Sequence, residues 1–558
     1  MIWRIACQLP RSSAIFFTNK RVAPANVNIL IQDPMKRRLS DSASHISSKR
    51  TRMETAKISL LPEEEQLSRL LLDASEYIDK SGELDEKVVL RFAGGWIRDK
   101  LLGIQSNDID VAINIMTGEN FGIKLKEYVE ISENVKKHGL RPKDLGSFHN
   151  IKKNPEQSKH LETTTVKIFG RDVDFVNLRK EVYAGDSRNP TMEFGTPEED
   201  AERRDATINA LFYNIHSGLV EDFTGGLKDL RAQRITTPMD PEKTFNDDPL
   251  RVLRLIRFAS RLGFTIDPNV GKWMGDASVA QNLKMKISRE RVGIELGKML
   301  KDKSPVTALK LMDRLGLYST VFTDPAREVP IPDSSKWSIA YNLLSTLKDA
   351  ETPGSVYHTL VRSDDAKFQA WILAAIVPWG TVEKPKKEGV KAIENEPYST
   401  DIIRRGVALD SKLCAMVTGA FRNRTQITDL KNAIGRSEPW TNQRDVVGMM
   451  IRGWKSDWKL HALYALLVEA DSDKYGPLIQ GWQKFLDHIE KMELMDVATE
   501  KYPLTGKDLQ KALNEKPGIW VGKALDVCMR WRLKYPTSQN LGEAIEDVKS
   551  QLSELKKN

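Results

Sequence analysis

The sequence predicts an α/β head followed by an all-helical remainder. β-type runs alternate with short helical stretches between residues 88 and 178, whereas helical periodicity dominates from about Pro241 to the end of the chain. With 40% hydrophobic and 29% charged residues over 558 positions, the chain can bury a sizeable core, which excludes a collagenous or wholly disordered protein.

The individual elements follow from local patterns. Apolar side chains at helical spacing predict a leading helix over residues 60–77. After it the pattern predicts, in order, a strand at 88–93, a glycine turn, a helix at 96–102, a strand at 108–114, a mobile loop at 117–162 and one or two strands at 164–178. The loop is predicted because Lys, Asn, His and Pro interrupt the periodicity there.

The N-terminal 55 residues differ from the rest in charge. They hold 10 Lys and Arg against 3 Asp and Glu, so most of the net charge of +8 lies there and the remaining chain is nearly neutral. Net charge therefore gives no argument for a nucleic-acid surface on the folded body. No acidic residue precedes Asp33, and four basic residues alternate with apolar and Ser residues, as in a mitochondrial presequence. A merely disordered terminus is the alternative.

A second targeting signal follows Met35. Two basic clusters, at 36–38 and 49–52, flank a Ser-rich spacer, a pattern typical of nuclear import signals. Translation from Met35 would omit the presequence. Alternative starts at Met1 and Met35 therefore predict a protein of the mitochondrial matrix, the nucleus and the cytoplasm.

Cysteine and apolar content exclude two other classes of protein. Three cysteines in so long a chain exclude a disulfide framework, and Cys7, Cys414 and Cys528 are too scattered to form a zinc site. The longest apolar stretch, residues 370–379, is about half the roughly 20 residues that a membrane-spanning helix needs. We expect a soluble protein in which this stretch is buried core.

A pair of carboxylates marks a candidate metal site. Asp108 and Asp110 are two residues apart in a β-type run, so on a strand they project from one face, roughly 6.8 Å apart along the chain. Such a pair repels itself unless a cation lies between, and Mg²⁺ prefers oxygen ligands. Two Mg²⁺ ions could activate an attacking hydroxyl and stabilise a leaving phosphate. Alone, however, the pair is weak evidence, because strand edges at the surface also carry such pairs.

A glycine turn shortly before the carboxylates strengthens that hypothesis. Gly94 and Gly95 end one strand and open a helix that carries Arg98. Glycines allow backbone N–H groups to approach a phosphate closely, and an arginine one turn further can add a bidentate contact. A tight turn with a surface arginine is the alternative. A phosphate-binding turn beside a carboxylate pair suits phosphoryl or nucleotidyl transfer.

These motifs, together with others later in the sequence, resemble those of one enzyme family. The ordered set is RFAGGWIRDKLLG (91–103) followed by the carboxylate pair, RRDATINAL (203–211), DDPLRVLR (247–254) and SRERVGIE (288–295). It resembles the class II tRNA nucleotidyltransferases, or CCA-adding enzymes, and their relatives the bacterial poly(A) polymerases. The match spans roughly residues 60–300.

The resemblance implies an α/β nucleotidyltransferase head, with a polymerase β-like mixed sheet and helices, followed by an all-α neck, body and tail. We place the targeting segment at residues 1–55, the catalytic head at 56–237, the nucleotide-selecting neck at 238–305, the helical body at 306–425 and the helical, tRNA-binding tail at 426–558. These names are used below for those ranges.

The resemblance also assigns residues to the chemistry. It implies a third carboxylate at Asp174, where the family more often has Glu, to orient a metal or the primer hydroxyl; a solvent-facing acid is the alternative. Arg204 would meet the triphosphate and Asp205 the ribose 2′-hydroxyl, with Asn209 in support. As an alternative, Arg203, Arg204 and Asp205 would merely cap a helix.

The neck motif predicts how the base is selected. Asp248 and Arg251 are three apart and are predicted to lie on one helix face. A carboxylate accepts and a guanidinium donates hydrogen bonds, so the pair complements the amine and ring nitrogen of cytosine and adenine, but not uracil or guanine. Arg254 and Arg257 continue the spacing and are predicted to contact the nucleotide, the alternative being surface salt bridges with Asp247 and Glu242.

The tail carries a further family-like motif, LTGKDL (504–509) with KPGIWVGK (516–523), which we interpret as a tRNA contact rather than a structural hairpin. The leading hypothesis is an enzyme that adds C, C and A to the tRNA 3′ end from CTP and ATP with Mg²⁺, without a membrane or an obligate protein partner. A poly(A) polymerase of the same superfamily and a catalytically silent RNA-binding protein are the alternatives.

Overall fold

The computed structural model describes residues 56–106, 108–141, 144–151, 163–182, 191–385, 388–389 and 392–557. The predicted targeting segment and the alternative start at Met35 lie outside these ranges. The head begins with helix α1 and forms an α/β unit. Its elements are α1 (Pro62–Ser81), β1 (Leu90–Ala93), α2 (Gly95–Leu101), β2 (Asp108–Ile113), α3 (Gly118–Glu130), α4 (Ser132–His138), β3 (Leu145–Ile151), β4 (Thr163–Ile168), β5 (Arg171–Asn177), β6 (Arg179–Val182), β7 (Thr191–Phe194), α5 (Pro197–Glu202), β8 (Phe212–Asn214), β9 (Leu219–Glu221), α6 (Gly226–Arg231) and β10 (Arg234–Ile235).

The rest of the described chain is helical apart from one short strand, β11, which pairs with β10. The elements are α7 (Pro241–Asp247), α8 (Arg251–Leu262), β11 (Thr265–Ile266), α9 (Pro268–Met274), α10 (Ala277–Lys286), α11 (Arg289–Lys301), α12 (Pro305–Arg314), α13 (Tyr318–Val321), α14 (Trp337–Asp349), α15 (Val356–Leu360), α16 (Asp364–Ala375), α17 (Tyr398–Asp401), α18 (Ser411–Gly435), α19 (Arg444–Gly453), α20 (Trp458–Glu469), α21 (Gly476–Lys491), α22 (Gly506–Leu513), α23 (Trp520–Lys534) and α24 (Leu541–Leu555). The predicted fold class is therefore confirmed.

A seven-stranded mixed sheet organises the head. Its strand order is β3-β4-β5-β2-β1-β8-β9, and among these strands only β2 and β5 run parallel. One face is strongly apolar, with fully buried Phe92, Val111 and Phe175. The opposite face carries a smaller cluster of Ala93 and Ala112 with side chains from the following segments.

The prediction of a mobile loop at 117–162 is wrong for most of that stretch. Helices α3 and α4 and strand β3 lie within it. Helix α3 begins at the N-cap Thr117, whose side chain accepts a hydrogen bond from the backbone N–H of Asn120, and it buries Phe121, Leu125 and Tyr128. These positions do repeat at helical spacing, but Gly118 and Gly122 weaken the local helix propensity.

The helices that follow the head in the sequence share one continuous hydrophobic core with it. Residues 370–379, the longest apolar stretch of the sequence, are buried there, as expected. Helices α22–α24 enclose a small second core around Trp520, Cys528 and Trp531. No helix within the described ranges is both long and apolar enough to cross a lipid bilayer.

Candidate active site

Four carboxylates, those of Asp108, Asp110, Asp172 and Asp174, share one face of the head sheet. In the parallel pair of β2 and β5, Asp110 lies directly opposite Asp174, and Asp108 lies opposite Asp172. Asp108 and Asp110 are exposed, whereas Ile109 between them is buried in the apolar face. The hydroxyl of Thr165 on β4 donates a hydrogen bond of 2.6 Å to Asp174 Oδ1. The mixed sheet thus brings Asp174 beside the carboxylate pair from 64 residues further along the chain.

The electrostatics of this face favour a cation. Although Asp110 reaches solvent, desolvation by the surrounding cleft raises its pKa to about 6, and the charges of Asp174 and Asp108 add to the effect against the opposing charge of Arg204. Within the described part of the chain, no group of three or more His, Cys, Asp or Glu is arranged to hold a metal. Two carboxylates with substrate phosphates completing the coordination are a common Mg²⁺ arrangement, so the donor set fits that ion.

The glycine turn brings the backbone against the carboxylates. Gly94 has φ = +73°, in a region that L-residues rarely adopt, and links β1 to α2. A Cβ at this position would lie 3.1 Å from Arg204 Nη1 and 3.4 Å from Asp110 Oδ2. At Gly95, a Cβ would lie 3.2 Å from Arg98 Nη2. The turn therefore leaves no room for a side chain where Arg204 and Asp110 converge.

Replacing Gly94 with Ala is expected to destabilise the protein and to lower nucleotide addition. The matched control is Gly103→Ala, because Gly103 has φ = +70° but a Cβ there would have no neighbour within 4 Å. Both changes should cost about 1–3 kcal/mol of stability through backbone strain, measured by thermal or denaturant unfolding. Only Gly94→Ala should also lower the rate of addition. Equal losses of rate in both variants would contradict this view of the turn.

The environment of Arg98 differs from the prediction that this side chain is open to a phosphate. Its guanidinium is buried and donates to Asp99 Oδ1 at 2.8 Å and to Asn209 Oδ1 at 2.5 Å. Burial lowers the pKa of Arg98, although Asp99 works against the shift. Arg98 thereby connects α2 to Asn209.

The second motif lies between helix α5 and a 3-10 helix at Thr207–Asn209, and no side chain of the motif caps that second helix, contrary to the capping alternative. Arg203 and Arg204 follow the last residue of α5. Arg204 donates to Asp200 Oδ2 at 3.0 Å and to the carbonyl of Asn209 at 3.1 Å, and its guanidinium lies over the Phe212 ring. Asp200 is fully buried and pairs with both arginines. Sequence reasoning missed Asp200, although its spacing of four from Arg204 on a helix was a usable signal.

Asp205 lies at the junction of head and neck. Its Oδ1 accepts a 3.0 Å hydrogen bond from Asn209, and its Oδ2 accepts a 2.6 Å hydrogen bond from Nε of Arg254 on α8. Burial alone would raise the pKa of Asp205, but Arg254, Asn209 and Arg251 outweigh burial and hold the pKa at about 2. Asp205 is therefore a charged acceptor at neutral pH.

The prediction that Asp248 and Arg251 share a helix face is wrong. Asp248 ends α7 in an extended conformation with φ = −139° and ψ = 97°, and α8 begins at Arg251. The physical reason is Pro249, because a residue before proline is disfavoured in the helical region. Arg251 donates to the carbonyls of Arg203, at 2.6 Å, and Thr244, at 3.4 Å.

Asp248 faces another part of the neck. Its Oδ2 accepts a 2.9 Å hydrogen bond from Nη2 of Arg291 on α11, and its Oδ1 accepts from the backbone of Leu250. About a quarter of the Asp248 side chain remains accessible. Arg291 belongs to the last family-like motif and was not predicted as a site residue, because 43 residues separate it from Asp248.

The two remaining neck arginines make ion pairs within the site. Arg254 pairs with Asp205, and Arg257 Nε donates to Glu295 Oε2 on α11 at 2.7 Å. Both guanidinium groups, and that of Arg98, lie over the ring of Phe258 at 4.5–5.6 Å from its centroid. Three of the arginines predicted to contact the nucleotide, Arg98, Arg254 and Arg257, thus lie around one buried aromatic ring.

Known proteins resemble this chain over most of its length. Residues 90–236 match the family model described as "Poly A polymerase head domain", and residues 263–328 match "Probable RNA and SrmB- binding site of polymerase A". The nucleotidyltransferase lcsQ of Purpureocillium lilacinum is 47% identical over 554 residues, which cover 89% of this chain and 93% of that protein. The mitochondrial CCA tRNA nucleotidyltransferase of Saccharomyces cerevisiae is 39% identical over 518 residues, covering 87% and 92%.

A solved structure has the same fold. The Thermotoga maritima CCA-adding enzyme complexed with tRNA matches with a TM-score of 0.58 at 18% identity, over 89% of this chain and 99% of that one. The sequence likeness to the yeast enzyme covers nine-tenths of that protein. The chain therefore belongs to the CCA tRNA nucleotidyltransferase family.

Proposed function

We propose that this enzyme adds C, C and A to the 3′ end of tRNA from CTP and ATP, using the carboxylate face of β2 and β5 as its catalytic centre. The observation that supports this proposal most directly is the register that sets Asp110 against Asp174, beside the Gly94 turn and Arg204. In nucleotidyl transfer the 3′-hydroxyl of the tRNA attacks the α-phosphate, and the bond to the β-phosphate breaks to release pyrophosphate.

The carboxylates, Arg204 and the glycine turn have separate proposed roles. We propose that Asp108 and Asp110 hold two Mg²⁺ ions, which when bound would activate the attacking hydroxyl and neutralise charge on the leaving group. Asp174, oriented by Thr165, would position the primer hydroxyl or one of these ions. Arg204, fixed by Asp200, presents its charge to the triphosphate, and the backbone at Gly94 and Gly95 allows the phosphates to come close.

The neck residues would choose the nucleotide. Asp205 is a charged acceptor suited to the ribose 2′-hydroxyl, with Asn209 supporting it. Asp248 as acceptor and Arg251 as donor complement the amine and ring nitrogen of both cytosine and adenine. To contact the base, Arg251 would have to release its carbonyl partner, and the Asp248 carboxylate would have to rotate away from Arg291.

The tail would contact tRNA. Helices α22 and α23 carry the family-like motif, and the turn between them leaves Ile519 exposed. Basic side chains on these helices, such as Lys507 and Lys523, could meet phosphates. The name of the structural relative in complex with tRNA supports tRNA as the partner.

The deciding experiment uses tRNA transcripts that lack the terminal CCA. Purified protein with CTP, ATP and Mg²⁺ should add C, C and A and then stop, as read by sequencing the product ends. A long run of A would instead favour a poly(A) polymerase, and binding without any addition would favour a silent RNA-binding protein. The names of the fungal relatives favour CCA addition.

Removing residues 1–34 should leave catalysis unchanged and redirect the protein within the cell. We propose delivery to the mitochondrial matrix from Met1, and to the nucleus and cytoplasm from Met35; the mitochondrial names of the Saccharomyces cerevisiae and Candida glabrata relatives support the first destination. A fluorescent fusion that lacks these residues should lose mitochondrial signal and keep nuclear signal. Persistent mitochondrial import would rule out the presequence.

A further inference from the structure

A chain of polar contacts runs from neck helix α11 into the head. Glu295 accepts a hydrogen bond from Arg257 and has its Oε1 3.7 Å from Nη1 of Arg254. Arg254 donates to Asp205 Oδ2, and Asp205 Oδ1 accepts from Asn209. Asn209 in turn accepts from Arg98. We call Glu295, Arg254, Asp205 and Asn209 the polar relay.

Three residues of the polar relay are buried, so the charged groups of the relay depend strongly on one another. Glu295 is 3% exposed, and Asp205 and Asn209 are each 7% exposed. A buried carboxylate is costly unless a cation and hydrogen bonds satisfy it, so Glu295 and Asp205 both depend on the arginines between them. Phe258 lies against the guanidinium of Arg254 at 5.6 Å. Arg254 is thereby held by two carboxylates and one aromatic face.

We propose that Glu295 and Arg254 are positioning residues that fix Asp205 for the ribose 2′-hydroxyl and so enforce the use of ribonucleotides. The proposal rests on the function proposed above, in which Asp205 reads that hydroxyl. Arg254 then acts on specificity through Asp205, and Glu295 acts through Arg254. Neither residue needs to touch the sugar.

The geometry explains why the orientation of Asp205 depends on these partners. Each carboxylate oxygen can accept about two hydrogen bonds. Asn209 takes one place on Oδ1, and Nε and Nη2 of Arg254 both lie within 2.6 Å of Oδ2, which leaves acceptor capacity on Oδ1 for one hydroxyl. Without Arg254, the carboxylate would lose its main fixed contact with the neck and could rotate away from the sugar.

The test compares CTP with dCTP in the first addition to tRNA that lacks CCA. In Glu295→Gln and in Arg254→Gln, the ratio of kcat/KM for CTP to that for dCTP should fall roughly tenfold, the effect of losing one charged hydrogen bond. Arg254→Lys keeps the positive charge but loses the planar guanidinium with its paired donors. The ratio in this variant should therefore lie between those of Arg254→Gln and the wild type. The matched control is Lys298→Gln, an exposed neighbour 3.9 Å from Glu295 Oε1, which should keep the wild-type ratio.

A pH profile separates positioning from a general loss of structure. The groups facing Asp205 are Arg254 and Arg251 on α8, Asn209, and Arg98 on α2. In the wild type the ratio should not change as the pH is lowered from neutral to mildly acid. In Arg254→Gln, burial should favour protonation of Asp205, so the ratio should fall on acidification. A flat profile in this variant would count against the proposal.

The outcomes of the two proposals are distinguishable. If Asp205→Asn keeps full discrimination, Asp205 does not read the sugar and the proposed function of this residue is wrong. If Asp205→Asn loses discrimination while Glu295→Gln and Arg254→Gln keep it, the positioning proposal alone is overturned. If the change in Glu295 prevents folding, the Arg254 variants decide the matter. Combining Arg254→Gln with Asp205→Asn should cause no further loss of discrimination.

Discussion

Replacing Asp110 with Asn is expected to reduce the addition of both C and A by on the order of a thousandfold, since several kcal/mol of transition-state stabilisation depend on the metal ligands. Asp108→Asn should have the same effect. Binding of tRNA, measured by filter binding or fluorescence anisotropy, should remain close to wild type in both variants, because Asp108 and Asp110 belong to the carboxylate face, whereas the tail is the part proposed to contact tRNA.

The matched control is Asp172→Asn. Asp172 is an exposed carboxylate on β5, directly opposite Asp108, and carries no proposed role. It should retain most of the activity. If either Asp108→Asn or Asp110→Asn supported substantial incorporation of a nucleotide, the carboxylate pair would not be the catalytic centre.

Asp110→Asn, which should lower activity, should not lower the stability of the metal-free protein. The pKa of Asp110 is raised to about 6, so folding disfavours its ionised form. In metal-free protein, stability should therefore fall as the pH rises from about 4, the unfolded pKa, through 6. Asp110→Asn removes this penalty, so in the presence of EDTA its melting temperature should equal or exceed that of the wild type near neutral pH. A lower melting temperature would show that the carboxylate has a structural role.

The order of elements in the head could be predicted because it depends on local pattern. The runs around Phe92 and Val111 are apolar and bounded by glycine or polar residues, and each forms a strand of the sheet. Alternation alone placed Asp108 and Asp110 on one face. Their position opposite Asp174 required the parallel pairing of β2 with β5, which local pattern does not specify.

Partners distant in sequence account for most of what could not be predicted at the site. Arg98 was expected to reach a phosphate, but it is bonded to Asn209, 111 residues away. Arg254 pairs with Asp205 across 49 residues, and a spacing argument considers only neighbours on the same helix. Charged groups in a folded interior take the partners that tertiary packing brings to them.

Pro249 was the missed local signal. It was visible between Asp248 and Arg251, and it excludes the helical conformation at Asp248 that the spacing rule assumed. The consequence is that the two side chains lie on different elements, the end of α7 and the start of α8. They can therefore be altered one at a time without disturbing a shared helical turn.

Arg251→Ala should lower the incorporation of C and of A together, roughly tenfold or more, because it leaves an unpaired acceptor on the base in a closed site. The melting temperature should also fall, since the carbonyls of Arg203 and Thr244 lose a donor. Arg251→Lys keeps the charge, so it should recover stability more than rate, because one ammonium cannot reproduce the fork of a guanidinium.

Asp248→Asn should instead change which nucleotides are accepted. The amide that replaces the carboxylate can donate as well as accept, so it can face the carbonyl groups of uracil and guanine that the carboxylate rejects. The matched control is Asp247→Asn, the adjacent carboxylate, which should keep wild-type selectivity. The measurement is single-nucleotide incorporation from each of the four triphosphates on tRNA that ends before the CCA. If Asp248→Asn excludes UTP and GTP as strictly as wild type while Arg251→Ala keeps full rates, the base is read by other residues and this junction is only a structural part of the neck.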